Sequence, residues 1–337
     1  MKVITIGIDL AKSIFQVCAV NQIGKPVFNH AVKRNKLLET LLQYPDADIA
    51  MEACSGSNYW GRLLLSHGFT VKLIPPQHVK PFVRGNKNDR NDAFAITEAA
   101  RRPDMVFVPP RSLEATDMMV LHRIRERRQK SLTCLTNQLR GLLAEYGVVL
   151  PQGVGELKRA IPRLLEDADT ALSVLMRQEL QGVYEEWCEL EGLIAAQDKA
   201  ITAQARHNSN ASLLMTVKGI GPITATALLA TLGTPQRFKN GRHFASSLGL
   251  TPSEHSSGGK QRLGHITKRG NRYLRWLLVQ CAMSHLRHLK NQTDSLSVWL
   301  ASLKARRGAQ IAAIALANKL ARISWAMLSR QEAYRAV

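Results

Sequence analysis

Alternating apolar and polar positions near the N-terminus predict a β-sheet. Ile4, Ile6 and Ile8 alternate with smaller or polar residues through residues 3–9, and residues 14–20 repeat the strand pattern after a short connection. These two segments therefore predict a hairpin. The pattern also predicts strands at 26–30, 48–52 and 69–74 and helices at 36–42, 57–66 and 88–101.

The order of these elements predicts the fold of the N-terminal part. Three antiparallel strands followed by strands that alternate with helices describe a mixed sheet with helices on both faces. This arrangement is typical of the ribonuclease-H-like fold. The expected fold class of the chain is thus α/β plus α, with the α/β part at residues 1–105.

The rest of the chain has helical periodicity. Residues 112–147 and 160–205 predict two long antiparallel helices separated by a break at Pro151-Gln152-Gly153, which together form a coiled-coil arm at residues 106–206. Residues 207–337 predict a C-terminal domain. It opens with a turn at 207–210, and its compact helical part begins at Leu213. Amphipathic helices in the alanine-rich segment 300–328 close this domain.

The charge of the chain indicates a polyanionic partner. The formal net charge is +20 and the pI is about 10.1. Residues 207–337 contain nineteen Lys or Arg against three Asp or Glu, so most of the excess lies in the C-terminal part. Because so large an excess repels itself, nucleic acid is the expected partner.

The cysteines and the termini bear on the compartment. The five cysteines are far apart and form no Cys-x-x-Cys pair, which favours neither disulfides nor zinc and fits a reducing compartment. The N-terminus lacks a signal-peptide pattern, and the apolar run at 311–317 is short. We therefore expect a cytoplasmic protein with no membrane span.

Four acidic residues are candidates for a metal site. Asp9 and Glu52 end predicted strands, whereas Asp89 and Asp92 lie three residues apart on one helix face. Carboxylates that converge at one sheet edge need a cation, and hard oxygen ligands suit Mg²⁺ or Mn²⁺. Each acid also has a structural explanation: a turn residue, a strand end, a helix cap and first-turn dipole compensation, respectively.

A glycine-rich turn in the C-terminal part predicts a helix-hairpin-helix. In residues 217–222, Gly219 and Gly221 allow a tight turn, and Pro222 suits the first turn of the next helix. Exposed amides at such a turn can hold a DNA phosphate, to which Lys218 adds charge. A plain connection between helices is the alternative.

A hydroxyl-rich loop and a run of cations follow. Residues 253–260 include Ser253, Ser256 and Ser257, and the next cations are suited to neutralise phosphate. A flexible, solvated Ser/Gly loop explains the same residues. The candidate phosphate-binding cations are Lys260, Arg262, Lys268, Arg269, Arg272 and Arg275.

Taken together, these motifs resemble a known family. Their order along the chain is similar to that of the DEDD transposases of the insertion-sequence family numbered one hundred and ten. The similarity spans nearly the whole chain. The motifs are Gly7-Ile8-Asp9-Leu10-Ala11-Lys12, Glu52-Ala53-Cys54-Ser55-Gly56, Asn86-Lys87-Asn88-Asp89-Arg90-Asn91-Asp92-Ala93, Gly219-Ile220-Gly221-Pro222 and Ser256-Ser257-Gly258-Gly259-Lys260.

The resemblance implies a function and site residues. It implies a RuvC-like domain whose four catalytic, metal-binding acids match Asp9, Glu52, Asp89 and Asp92. It also implies a C-terminal transposase domain in which Ser257 forms a covalent bond to DNA during strand exchange, with Ser256 as the alternative nucleophile. The implied enzyme is a site-specific DNA recombinase that transposes an insertion sequence.

The resemblance further implies the partners. These are double-stranded donor and target DNA and a structured noncoding bridge RNA that is encoded by the element and pairs with both DNAs. A homodimer on each DNA and a tetramer at synapsis are expected, in the bacterial cytoplasm at the nucleoid.

Three other functions fit parts of the sequence. A metal-dependent, Holliday-junction-type nuclease needs the four acids without serine chemistry. An actin-like phosphotransferase shares the Gly7-Ile8-Asp9 turn, although the chain lacks the expected second nucleotide-binding half. An RNA-binding scaffold would use the acids only structurally.

Overall fold

The protein is described by a computed structural model that covers residues 2–86, 88–289 and 294–335. The chain divides into two compact units, Met1–Leu113 and Glu114–Val337. Each unit has its own hydrophobic core.

The first unit contains a five-stranded mixed sheet. The strand order is β3-β2-β1-β4-β5, in which β1 pairs antiparallel with β2 and parallel with β4. The β2–β3 pair is antiparallel and the β4–β5 pair is parallel, as the strand and helix order predicts. The strands are β1 (Thr5–Asp9), β2 (Ile14–Val20), β3 (Pro26–Lys33), β4 (Asp48–Glu52) and β5 (Val71–Ile74).

Helices cover both faces of this sheet. On one face, Ile6 and Ile8 of β1 pack with Leu37 of α1 and Leu64 of α2. On the other face, α4 lies over β1 and β2, where Ala93 joins a core with Cys18 and Val20 of β2. The helices of this unit are α1 (Leu37–Leu42), α2 (Ser57–Ser66), α3 (Pro76–Val79) and α4 (Asp89–Ala100). A mixed sheet with helices on both faces is consistent with the expected ribonuclease-H-like domain.

The second unit is mainly helical. Two 33-residue helices, α5 and α7, run antiparallel, because Arg125 contacts Asp198 and Arg128 contacts the Leu193 carbonyl. The elements of this unit are α5 (Leu113–Glu145), α6 (Val154–Glu166), α7 (Val174–Arg206), α8 (Ser209–Met215), α9 (Pro222–Leu232), α10 (Gly241–Ser247), β6 (Pro252–Glu254), β7 (Leu263–Ile266), α11 (Arg272–Arg287), α12 (Ser295–Arg307) and α13 (Ala309–Arg330).

The prediction of one continuous helix at 160–205 is wrong. The structure breaks it into α6 and α7 at residues 167–173, where Ser173 caps α7 by accepting the Met176 amide. Arg177 stabilises the break by donating to the carbonyl oxygens of Leu164 at 2.8 Å and Asp167 at 2.6 Å. A guanidinium that satisfies helix-end carbonyls stabilises a chain reversal without a glycine or proline.

The loop predicted at 253–260 is confirmed for residues 255–260 and wrong for Ser253 and Glu254, which lie in a short strand. It is the end of a short hairpin in which β6 and β7 pair antiparallel, with Pro252 opposite Ile266 and Glu254 opposite Leu263. The strands are only three and four residues long, too short for a clear period-two pattern.

Helix α13 is long and apolar enough to cross a membrane, and it is the one such helix in the described ranges. Half of its most apolar window is buried in the protein. Leu316 and Leu320 pack in the core of the second unit, which is the usual position of an apolar helix in a globular domain.

Candidate carboxylate site and basic hairpin

Two acids lie at one edge of the sheet. Asp9 and Glu52 are the last residues of β1 and β4, which are adjacent and parallel. The register pairs Ile8 with Met51, so the next residue of each strand is one of these acids. Adjacent parallel strands end at the same edge of the sheet, so the Cα atoms of both acids lie at this edge.

The first turn of α4 carries the other two acids, of which Asp92 raises the pKa of Glu52. Asp89 and Asp92 lie in that turn, and the helix packs on β1 at Gly7. A Cβ atom at Gly7 would lie 2.6 Å from the Ala93 carbonyl oxygen and 2.6 Å from Cγ2 of Thr97. Only glycine permits so close an approach of the helix to the strand that ends in Asp9.

Asn88, and not Asp89, caps α4. The Asn88 side chain accepts a hydrogen bond from the Asn91 amide at 2.9 Å. The Asn91 side chain donates in turn to the Asn86 carbonyl at 2.8 Å. The helix-cap explanation of Asp89 is therefore wrong, and its carboxylate is not needed for capping.

The pKa values link the acids electrostatically. Burial raises the pKa of Glu52, and the negative charge of Asp92 raises it further. The thiol of Cys54 also has a raised pKa, through burial and then the charges of Glu52 and Asp9. Like charges raise each other's pKa, so Asp9, Glu52 and Asp92 contribute to one negative potential at this edge of the sheet.

The serine hairpin ends in a tight turn at residues 257–260. Gly258 and Gly259 both have positive φ, at 58° and 74°, and the Lys260 amide donates to the Ser257 carbonyl at 3.1 Å. Two consecutive positive φ values are what a type I′ turn requires, and glycine adopts them without strain. Ser257 is therefore the first residue of an exposed turn.

The neighbouring serines are held in place by hydrogen bonds. Ser256 Oγ donates to Glu254 Oε1 at 2.5 Å and accepts from the Arg262 amide at 3.0 Å. Ser253 Oγ donates to the His265 carbonyl across the hairpin at 3.0 Å. Both hydroxyls stabilise the hairpin that carries Ser257.

The predicted cations surround the hairpin on one continuous segment. Five of the six are exposed: Lys260, Arg262, Lys268, Arg269 and Arg272. The prediction is wrong for Arg275, because its guanidinium donates to the carbonyls of Leu248 at 2.7 Å and Arg269 at 3.0 Å within the fold. Burial, and then the charge of Arg272, lowers its pKa.

The glycine-rich turn connects α8 and α9 as the sequence predicts. Gly219 has a φ of 91°, and a Cβ there would lie 3.1 Å from the Cys281 carbonyl oxygen. Gly221 precedes α9, and Pro222 occupies its first turn. Lys218 is exposed but pairs with Asp294 at 3.4 Å, so part of its charge is already neutralised within the protein.

Comparison with known proteins gives two family matches and several full-length relatives. Residues 6–148 match a DEDD transposase family of IS110 elements, and residues 211–296 match the transposase IS116/IS110/IS902 family. The transposase for insertion sequence element IS1111A of Coxiella burnetii is 41% identical over 330 residues, which cover 98% of this chain and 91% of that protein. This chain belongs to the IS110 family of transposases.

Other relatives extend this comparison. A probable family 20 transposase of Pseudomonas aeruginosa is 43% identical over 336 residues, 99% of each chain. A pilin gene-inverting protein of Moraxella bovis is 24% identical over 266 residues, 75% of this chain and 73% of that protein.

Membership of the family determines the class of activity. The IS110-family transposase is the enzyme of an insertion sequence and catalyses DNA strand transfer. This replaces the phosphotransferase and the scaffold considered from the sequence.

The DEDD family also implies a divalent metal ion. In the described ranges, no three His, Cys, Asp or Glu side chains are gathered closely enough to hold one together. The donor chemistry nevertheless fits, because Glu52 is partly buried beside a second carboxylate that raises its pKa. A divalent cation would relieve this repulsion, and carboxylate oxygens are ligands that such cations prefer.

Several residues that position the site were missed by sequence reasoning. Asn29 of β3 exchanges hydrogen bonds with the backbone and side chain of Arg90, which ties β3 to the first turn of α4. Asn88 could have been found, since asparagine is a preferred cap three residues before the amide it bonds. The contact between Asn29 and Arg90 spans 61 residues and has no local signal.

Proposed function

We propose that this transposase cuts and rejoins donor and target DNA by combining a metal-bound carboxylate group with a serine nucleophile. Asp9, Glu52, Asp89 and Asp92 would hold Mg²⁺ or Mn²⁺. The observation that supports the proposal is the placement of Asp9 and Glu52 at one sheet edge, with the charge of Asp92 raising the pKa of Glu52.

The proposed metal supplies charge stabilisation at the scissile phosphate and orients the phosphodiester. The protein's own part is to hold the four carboxylates in register. Gly7 lets α4 approach β1 closely, and Asn88 fixes the first turn that carries Asp89 and Asp92.

Ser257 is proposed as the nucleophile. Its Oγ would attack phosphorus, the bond from phosphorus to one deoxyribose oxygen would break, and the serine proton would pass to a base or water. Two observations favour Ser257 over Ser256: its place as the first residue of the exposed turn, and the two hydrogen bonds that engage Ser256 Oγ. Arg262, Lys268 and Arg269 are suited to neutralise the attacked phosphate.

The helix-hairpin-helix and the cations complete the proposed nucleic-acid surface. Amides near Gly219 and Gly221, together with Lys218, would contact phosphate without reading sequence. Lys260 and Arg272 extend the basic surface beside the hairpin.

Sequence recognition is proposed to come from a noncoding bridge RNA encoded by the element. The large basic surplus of residues 207–337 suits backbone contacts, and base pairing by the RNA would then select both DNAs. A homodimer on each DNA and a tetramer at synapsis, acting at the nucleoid in the bacterial cytoplasm, complete the proposal.

The test uses the full chain, a DNA substrate containing the element ends, and RNA co-purified from cells that carry the element. Ser257→Ala should abolish both strand exchange and a denaturation-resistant protein–DNA adduct, whereas Ser256→Ala should keep the adduct. Chelation of divalent metal should stop exchange in the wild type. Full exchange by Ser257→Ala would refute the serine mechanism.

A metal-dependent, junction-cleaving nuclease without serine chemistry is the second candidate. One observation favours it: in the part of the chain that the structure describes, no side chain hydrogen-bonds Ser257 as a general base would. Metal-dependent cutting of branched DNA, with no adduct and no dependence on a bound RNA, would establish this candidate.

A further inference from the structure

A cavity in the first unit is lined by residues of the β1–β2 connection, of β3 and of helix α2. Its volume is about 610 Å³, within the range of small-ligand sites of roughly 300–1,000 Å³. One wall begins at Lys12, three residues after Asp9, and another is helix α2, which begins five residues after Glu52. The chain segments that line the cavity therefore follow Asp9 and Glu52 within a few residues.

The cavity combines cations with aromatic rings. Lys12, Lys33 and Arg34 line it, together with Tyr59 and Trp60. Among the described residues, no acidic side chain lines it. This composition suits an anion attached to a flat ring.

The aromatic part of the cavity is already ordered. Tyr59 is 51% exposed, and its ring lies edge-on to Trp60 with centroids 5.4 Å apart. Arg34 lies over both Trp60 and Phe15, with its guanidinium carbon 5.4 and 5.6 Å from the ring centroids. An exposed ring held by a buried one is a preorganised stacking platform.

One donor in this wall is unsatisfied. The indole Nε1 of Trp60 is buried and has no hydrogen-bond acceptor in the described ranges.

We propose that this cavity binds one unpaired nucleotide of the strand beside the scissile phosphate, with its base stacked on Tyr59 and its phosphate held by Lys12, Lys33 and Arg34. This proposal rests on the proposed function. It adds that the DNA strand has an unpaired nucleotide when it binds at the carboxylate site. A base that has left the duplex exposes a flat face, and Tyr59 can stack on any base without selecting its sequence.

The test is photocrosslinking of the full chain to 12-nucleotide strands of DNA or RNA that contain 5-iodouracil, in EDTA to prevent cleavage. Peptide mass spectrometry should place a crosslink on Tyr59. A crosslink from the DNA strand supports the proposal, whereas a crosslink from RNA alone would overturn the assignment of the nucleotide to the cleaved strand.

Two matched variants measure the contribution of stacking. Tyr59→Ala should weaken binding of the single strand by roughly 5- to 150-fold, the equivalent of about 1–3 kcal/mol, whereas Tyr59→Phe should stay within about twofold of wild type. Leu65→Ala is the control, since Leu65 lies on the same helix and is 48% exposed. Lys33→Gln should weaken binding, and Lys25→Gln, at an exposed turn outside the cavity, should not.

Two outcomes would overturn the inference in distinguishable ways. Crosslinks only elsewhere, with Tyr59→Ala binding and exchanging strands like wild type, would reject the cavity and leave the proposed function intact. If wild type binds no strand and exchanges no DNA, both the cavity and the proposed function fail.

Discussion

At the scale of single residues, the ionised carboxylate of Glu52 carries an electrostatic cost. Its pKa is raised by burial and by the charge of Asp92, so folding disfavours the ionised carboxylate. Above the pKa of Glu52 this charge destabilises the metal-free protein, and the penalty disappears as the pH falls and the group is protonated. Active sites commonly keep such charges at the expense of stability.

Glu52→Gln should therefore separate stability from activity. Without metal at pH 7, the variant should unfold at a higher temperature than wild type, because it removes the repelling charge. With metal, strand cleavage should fall by more than about 100-fold, since a metal site supplies several kcal/mol to the transition state. Glu39→Gln, at an exposed acid of α1, should change neither property; equal cleavage by Glu52→Gln would contradict the assignment.

His122 is a second residue with a displaced pKa. Its ring is buried, with Nδ1 3.0 Å from the Tyr273 hydroxyl and Nε2 3.0 Å from Thr226 Oγ1. Burial and then the charge of Arg125 lower its pKa to about 4. The neutral ring joins α5 to α9 and α11 within the second unit.

Lowering the pH should weaken the contacts that His122 makes between these helices. Between about pH 6.5 and pH 4 the unfolded histidine binds a proton that the folded one does not, so wild type should lose about 3 kcal/mol over that range. Urea unfolding at pH 7 and pH 4.5 should show this loss in wild type and in the exposed control His288→Asn. His122→Asn, which cannot titrate, should lose less; the same loss in all three proteins would exclude His122 as the source.

At the scale of elements, the packing of α4 on β1 determines where two of the acids lie. Gly7 has no side chain, and the Ala93 carbonyl and Thr97 occupy the space that a Cβ would need. The acids of α4 thus depend on a residue that has no chemistry of its own.

Gly7→Ala should displace α4. A Cβ 2.6 Å from backbone oxygen forces a shift, which should lower the free energy of unfolding by about 1–3 kcal/mol. Displacement of catalytic groups by about 1 Å costs on the order of 100-fold in rate, so cleavage should fall by that much at temperatures where the variant is folded. Gly141→Ala is the control, because its Cβ would meet nothing within 4 Å; a fully active Gly7→Ala would show that this packing does not position the acids.

At the scale of the whole molecule, the charge surplus should make DNA binding strongly salt-dependent. Each cation that neutralises a phosphate contributes about 0.9 to the slope of log affinity against log salt. Arg262→Gln should therefore reduce the slope for a duplex by about 0.9, measured by fluorescence anisotropy between 50 and 200 mM salt. Arg159→Gln, an exposed arginine paired with Glu156 on α6, should leave it unchanged; equal slopes for all three proteins would remove Arg262 from the DNA surface.

The sequence by itself determined the strands of the first unit, the order of the four acids and the concentration of positive charge in residues 207–337. These are local properties. An alternation of period two and a count of charges depend only on residues that are close in sequence, and not on tertiary contacts. The resemblance of the ordered motifs was sufficient to indicate the family. The strands β1, β2 and β4 and the helix α2 therefore lie close to where the pattern predicts them.

Only the tertiary structure decided that Asn88 caps α4 and that Arg177 stabilises the break in the long helix. It also decided that residues 252–266 form a hairpin and that Tyr59 lines a basic cavity. Each depends on side chains that meet a particular carbonyl, helix or ring in space. Arg177 satisfies carbonyls 10 and 13 residues away, and Arg34 meets Trp60 from a different element. Such contacts have no period along the chain, because their energy comes from three-dimensional proximity and from excluding water.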